Sequence, residues 1–247
     1  MCVNESIILL DIEGTITSIN FVKEELFPYA AEVLEDYVKT HWNDDDFKED
    51  LELLKKQAAN DTSLEGFIPI ADDGEDAKKS VIENVLWQMK NDRKTTALKQ
   101  LQGHIWKYGY DCGNLVGHIY SDVPSVLSKL LDEGKKIYTY SSGSTDAQKY
   151  LFKYSCMGNI SSLFTKYFDT KIGPKQIETS YTNIAKEIGV NCSDILFLTD
   201  VIEEAEAAVK AGCNAAILIR PGNLPQDPEK LLKFRTMKTL DPLVNDE

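Results

Sequence analysis

Runs of apolar residues along the chain change their spacing twice. Ile7-Ile8-Leu9-Leu10 is an unbroken apolar run that stops at Asp11. Such a run reads as a central parallel strand covered on both faces. From Phe21 to about Gly109 the apolar positions follow helical spacing. Lys23 to Lys39 puts Leu26, Ala30, Val33, Leu34, Tyr37 and Val38 on one side, and Asp44 to Ala59 does the same with Phe47, Leu51 and Leu54. Asp76 to Lys90 and Thr95 to Tyr108 continue the pattern, after a loop from Asn60 to Asp76 that holds Gly66, Pro69 and Gly74. The aromatic residues Trp42, Trp87, Trp106, Tyr108 and Tyr110 read as helix core.

Strands and helices then alternate. A helix over Val123 to Leu131 opens at Asp122-Val123-Pro124, an acidic cap followed by an early proline. Strands are expected at Lys136–Tyr140, Lys166–Asp169, Asp194–Thr199 and Asn214–Ile219, with helices at Thr145–Tyr154, Gln176–Ile188 and Glu203–Ala211. The tail from Asp227 reads as one helix and a polar end. Alternation of this kind gives an α/β parallel sheet. The isolated first strand must join it. The expected architecture is therefore a Rossmann-like α/β core, 1–20 and 118–247, with an all-helical cap domain, 21–117, inserted after the first strand.

Composition narrows the function. Forty acidic against 27 basic residues leave a net charge of -13, which disfavours nucleic acid and anionic membranes as partners. Five scattered cysteines, Cys2, Cys112, Cys156, Cys192 and Cys213, form no CxxC pair, so neither a disulfide framework nor a zinc site is expected. No leader-like segment or membrane-length apolar run is found. The expectation is a reduced setting in the cytoplasm, with the nucleus as a further location, and a monomer.

Candidate chemistry gathers at the strand ends. Asp11 and Glu13 follow the first strand, Ser141 and Ser142 the second, and Asp200 the fourth; Lys175 sits near a helix start. Carboxyl ends of neighbouring parallel strands share one crevice. Asp11 and Asp200 are hard oxygen ligands of the kind Mg²⁺ takes. Ser141, Ser142 and the helix N-terminus after them suit a phosphate, and Lys175 supplies a compensating charge. Lys171 competes for that role. His41, His104 and His118 have no metal-ligand spacing.

This set resembles the haloacid dehalogenase-like superfamily, whose four motifs match Asp11-Ile12-Glu13-Gly14-Thr15, Ser141, Lys175, and Asp200 with Glu204. Glu13 replaces the aspartate usual there. Within the superfamily, that departure and the stretches Phe21–Tyr29, Tyr140–Ser144, Phe168–Gly173, Phe197–Val201 and Arg220–Asn223 resemble the enolase-phosphatase (acireductone synthase) family. The resemblance implies Mg²⁺ and a small phosphorylated diketone, 2,3-diketo-5-methylthiopentyl-1-phosphate, enolised and dephosphorylated to the acireductone in methionine salvage. It also implies Asp11 as nucleophile and Glu13 as general acid–base. Asp11, Glu13, the Ile12 carbonyl and Asp200 would be metal ligands, with Glu204 orienting them from behind. Ser141, Ser142 and Lys175 would hold the phosphoryl oxygens. Another Mg²⁺-dependent phosphatase of the same core, or a non-catalytic binding member, are the alternatives.

Overall fold

A computed structural model describes residues 3–72 and 75–245, without the side chain of Glu75. Cys2, Asp73 and Gly74, counted above, lie outside them. In chain order the elements are β1 (Ile7–Leu10), α1 (Ile19–Phe21), a π turn (Val22–Leu26), α2 (Phe27–His41), α3 (Asp45–Asn60), α4 (Glu75–Lys90) and α5 (Thr96–Asp111). There follow α6 (Asp122–Asp132), β2 (Lys136–Ser141), α7 (Thr145–Lys153), β3 (Lys166–Asp169), α8 (Glu178–Ile188), β4 (Ile195–Thr199), α9 (Ile202–Lys210), β5 (Asn214–Leu218), α10 (Pro228–Leu231) and β6 (Arg235–Met237). They divide into two compact units, Met1–Val22 with Val116–Glu247, and Lys23–Leu115.

The first unit is built on a six-stranded parallel sheet of order β3-β2-β1-β4-β5-β6. β1 is central and no residue in it is more than 3% exposed, which is why its apolar run is unbroken. Leu10 pairs with Thr139 on one side and Leu198 on the other, so the ends of β1, β2 and β4 fall at one level. Tyr140, Tyr181, Phe197, Ile184 and Leu9 fill one face; Ile202, Ala205 and Ile217 cluster separately. β6 is absent from the sequence reading. It is three residues long and only Met237 is buried, too short to leave an alternating pattern.

The second unit is helical. Ala30, Leu34, Phe47, Leu54, Val81, Val85, Leu98, Leu101 and Ile105 form its core. Two sequence expectations shift. The first helix begins at Ile19, capped by the Ser18 hydroxyl, and passes through the π turn before α2. Pro28 has no N–H to return to the Glu24 carbonyl, so the α ladder is interrupted there. Tyr108 is exposed rather than core, whereas Trp87 and Tyr110 are buried.

Candidate active site

The site starts where β1 runs out. Asp11 extends the ladder by one bond, its N–H donating 2.8 Å to the Leu198 carbonyl, and its side chain is 6% exposed. The Ile12 N–H donates 2.7 Å to Asp11 Oδ1. At Gly14 the backbone enters the left-handed region, φ 73°, and a Cβ there would lie 2.3 Å from Asp200 Oδ2. Only glycine lets the turn bring Asp200 this close. Glu13 is half-buried beside this turn. The Ile12 carbonyl accepts N–H bonds from Thr15, Ile16 and Thr17 at 3.0–3.2 Å. Its two lone pairs are thus engaged inside the turn, which is at odds with the metal-ligand role expected of it.

Lys175 reaches the same place from the loop between β3 and α8. Its Nζ lies 2.6 Å from Asp11 Oδ1 and 2.7 Å from Glu204 Oε2. Thr199 ties the set together, its hydroxyl 2.8 Å from Glu204 Oε2 and 3.3 Å from Asp11 Oδ2. Glu204 therefore faces Lys175 and Thr199, and the group it orients directly is the lysine. Burial alone would lower the Lys175 amine, but the charges of Asp11 and Glu204 outweigh it and hold it above the ordinary lysine value. The acids move the other way. Burial, then the Asp11 charge, pushes Asp200 up to about 7 despite Lys175. The same two causes push Glu204 up to about 7 against the opposing pull of Lys175 and Thr199. Two carboxylates on one amine, with Asp200 buried close enough to feel the Asp11 charge, leave an excess of negative charge in a buried place. Among the described residues no group of three or more His, Cys, Asp or Glu has metal-holding geometry.

The second strand end supplies donors. Ser141 is buried and its hydroxyl accepts the Gly143 N–H at 3.2 Å, whereas Ser142 is exposed. Gln148, 2% exposed, was not singled out in the sequence. Its amide donates to the carbonyls of Gly143 and Phe168, each at 2.9 Å, and its oxygen accepts from Thr139 at 2.5 Å. One side chain thus braces the Ser141–Ser144 loop against β2 and β3. Lys171, the competing lysine, is exposed; it borders an open cavity of about 710 Å³ at the β3 edge with Lys186, Asn183 and Glu187.

A second layer locks the Gly14 turn. Arg220 Nε donates 2.9 Å to the Thr15 carbonyl, and its guanidinium grips Asp122 bidentately at 2.8 and 2.9 Å. Asp122 also accepts the Leu240 N–H at 2.7 Å. The residue read as the cap of α6 is thus its first helical residue, with Ser121 at the cap and the carboxylate turned to Arg220. Asn223 donates 2.9 Å to the Gly14 carbonyl. The only signal for these residues was the Arg220–Asn223 stretch itself; Asp122 lies 98 positions away in sequence.

Residues 6–212 match the family model described as "Hydrolase: haloacid dehalogenase-like hydrolase". The whole chain aligns at 68% identity with all of the "Enolase-phosphatase E1" of Acyrthosiphon pisum. The chain belongs to the enolase-phosphatase family of haloacid dehalogenase-like hydrolases. The family member of the same name from Danio rerio is 48% identical over 97% of this chain and 95% of its own. Among solved structures, the Unknown transcript 4 protein of Saccharomyces cerevisiae superposes with TM-score 0.76 at 32% identity, over 96% of this chain and 98% of that one. A dehalogenase with an intermediate complex, at 16% identity and TM-score 0.54, shares the fold. As a member of the family, the chain is a phosphatase with an α/β haloacid dehalogenase-like fold. No described helix is long and apolar enough to cross a membrane.

Proposed function

We propose that the chain converts 2,3-diketo-5-methylthiopentyl-1-phosphate to the acireductone 1,2-dihydroxy-3-keto-5-methylthiopentene and phosphate. The observation that carries the reading is the buried Asp11–Lys175–Glu204 cluster at the strand ends of an enolase-phosphatase family member.

The donor set fits Mg²⁺. Asp11 and Asp200 are hard oxygens, and Gly14 leaves the space a Cβ would fill against Asp200. Burial beside Asp11 raises Asp200, an excess of negative charge that a cation would relieve. Asp11 and Asp200 are the side chains that would hold it, which leaves Glu13 to proton transfer. Mg²⁺ needs few protein carboxylates because it keeps several waters, so a three-side-chain cluster is not required. When bound it supplies charge neutralisation between carboxylate and phosphate.

Asp11 attacks phosphorus and becomes an aspartyl-phosphate. Lys175, Ser141 and Ser142 hold the phosphoryl oxygens and stabilise charge during transfer. Glu13 gives its proton to the leaving oxygen and then takes one from the water that clears the intermediate. Its reach, one methylene beyond aspartate, also suits it to remove the carbon-bound proton of the diketone. On this reading the helical unit, 23–115, is the family's cap domain.

The test is a single turnover with the diketone phosphate, following phosphate release together with deuterium exchange at the acidic carbon. Both activities are expected in the parent protein. Phosphate release from simple esters but not from the diketone would make the chain another phosphatase of the same fold. Glu13→Asp that enolises normally would put the carbon base elsewhere.

A further inference from the structure

Lys175 belongs to a loop, yet its amine is fixed between two carboxylates. Lysine has a four-carbon stem and many rotamers, so the backbone beneath it must be held firmly. Three consecutive carbonyls of that loop each accept one buried hydroxyl. Tyr140 OH donates 2.7 Å to the Gly173 carbonyl, Ser180 Oγ 2.7 Å to Pro174, and Tyr181 OH 2.6 Å to Lys175 itself. The donors come from two elements, the residue of β2 just before Ser141 and the first turn of α8. None is more than 1% exposed.

The donors are themselves braced. The Tyr140 and Tyr181 rings meet edge to face at 5.6 Å, and both lie against Phe197 of β4, at 6.5 and 5.2 Å. Gly173 has φ 143°, and a Cβ on it would fall 2.2 Å from Ser180 Oγ, so the hydroxyl packs directly on the loop backbone. Tyr140 acts at both ends of the lysine. Its hydroxyl holds the loop, and its ring lies 6.0 Å from the Lys175 ammonium. Burial raises both phenols, which keeps them as O–H donors at neutral pH.

We propose that Tyr140, Ser180 and Tyr181 are positioning residues for phosphate transfer, a hydroxyl clamp on three successive carbonyls that sets the distance of the Lys175 amine from Asp11. The proposal rests on Lys175 being a phosphate-holding residue. A displacement of about 1 Å at a reacting centre costs about 10²-fold in rate, so a loop freed to relax should show in turnover before it shows in substrate affinity.

The test uses the full chain with Mg²⁺ and p-nitrophenyl phosphate, in Tyr140→Phe, Tyr181→Phe, their double variant and Ser180→Ala. Each is made in the parent and in Lys175→Ala; Ile184→Val, in the same core cluster, is the packing control. In the parent, the double variant should lose about 10- to 10²-fold in kcat with KM changed less than about threefold, and inhibition by orthovanadate should weaken in step. In Lys175→Ala the same substitutions should add almost nothing, because the group they position is gone. The control should lower Tm without the kcat loss. If the double variant does not fold, the singles and Ser180→Ala carry the same reading with smaller losses. Parental kcat in every folded clamp variant, or equal losses with and without Lys175, would overturn the clamp while Lys175→Ala stays defective. A fully active Lys175→Ala would overturn the lysine's role, and the clamp with it.

Discussion

The helical unit buries its acids in pairs, whereas the α/β unit, besides the paired Arg220 and Asp122, buries an excess of acid at its strand ends. In the helical unit the two buried acids among the described residues, Asp50 and Asp61, each meet their own partners. Asp50, 0% exposed, accepts Gln100 at 3.0 Å and His104 at 2.6 Å, tying α3 to α5. Asp61 takes both Arg93 and Gln57 on one oxygen, at 2.8 and 2.9 Å. In the α/β unit, Asp11 and Glu204 share a single lysine while Asp200 lies against the Gly14 turn, and burial beside Asp11 pushes both Asp200 and Glu204 up to about 7. Balanced burial of charge staples helices together. Unbalanced burial is costly to stability, and it is found where a cation and an anionic substrate would complete the set.

That contrast breaks most visibly at Asp11. If Asp11 is the nucleophile proposed above, Asp11→Asn should lower phosphate release by about 10⁴-fold or more while the side-chain shape is kept. Thermal melting should show the variant folded. An Asn variant that still turns over would remove the α/β cluster from the chemistry.

Chelation comes next. Exhaustive removal of divalent cations should stop turnover of any phosphate ester, and Mg²⁺ should restore it. Full activity after chelation would mean that the excess negative charge is not there for a metal.

The two lysines sharpen the comparison. Lys175→Ala should cost about 10²–10³-fold in transfer rate, as expected for a charge aimed at a developing anion. Lys171→Ala, on an exposed side chain, should stay within about threefold of the parent. A larger loss at Lys171 in steady-state assays would reverse the assignment.

The helical staple should behave as stability alone. Asp50→Ala strands Gln100 and a partly buried His104, and should cost about 2–4 kcal/mol in denaturant unfolding. At a temperature where the variant is folded, kcat should be unchanged.

The smallest effect is one of pH. The hydrogen bond to Asp50 outweighs burial and raises His104 above its ordinary value. Its contribution to stability is therefore fully present below about pH 6.5, the unfolded value, and is lost as pH rises through the higher folded value. Denaturant midpoints of His104→Gln should lack this slope; an identical slope in parent and variant would show that the pair does not titrate.

What could be read from the chain alone was whatever depends on near neighbours in sequence. The apolar run before Asp11, the helical spacing from Phe21 to Gly109, and the strand-helix alternation after it are local periodicities set by burial on one or two faces. The order of acids, serines and lysines at expected strand ends was legible for the same reason. Pairings across the chain were not. Lys171 and Lys175 are chemically identical and four positions apart; only the loop's path puts one between Asp11 and Glu204 and the other in solvent. Arg220 finds Asp122, Gln148 spans two strands, and Tyr140 reaches a loop 33 positions on. β6 exists because β5 offers it an edge, with one buried side chain of its own. Tertiary structure alone decided these contacts. Each joins residues far apart in sequence, so it forms only once the chain has closed, and leaves no period along it.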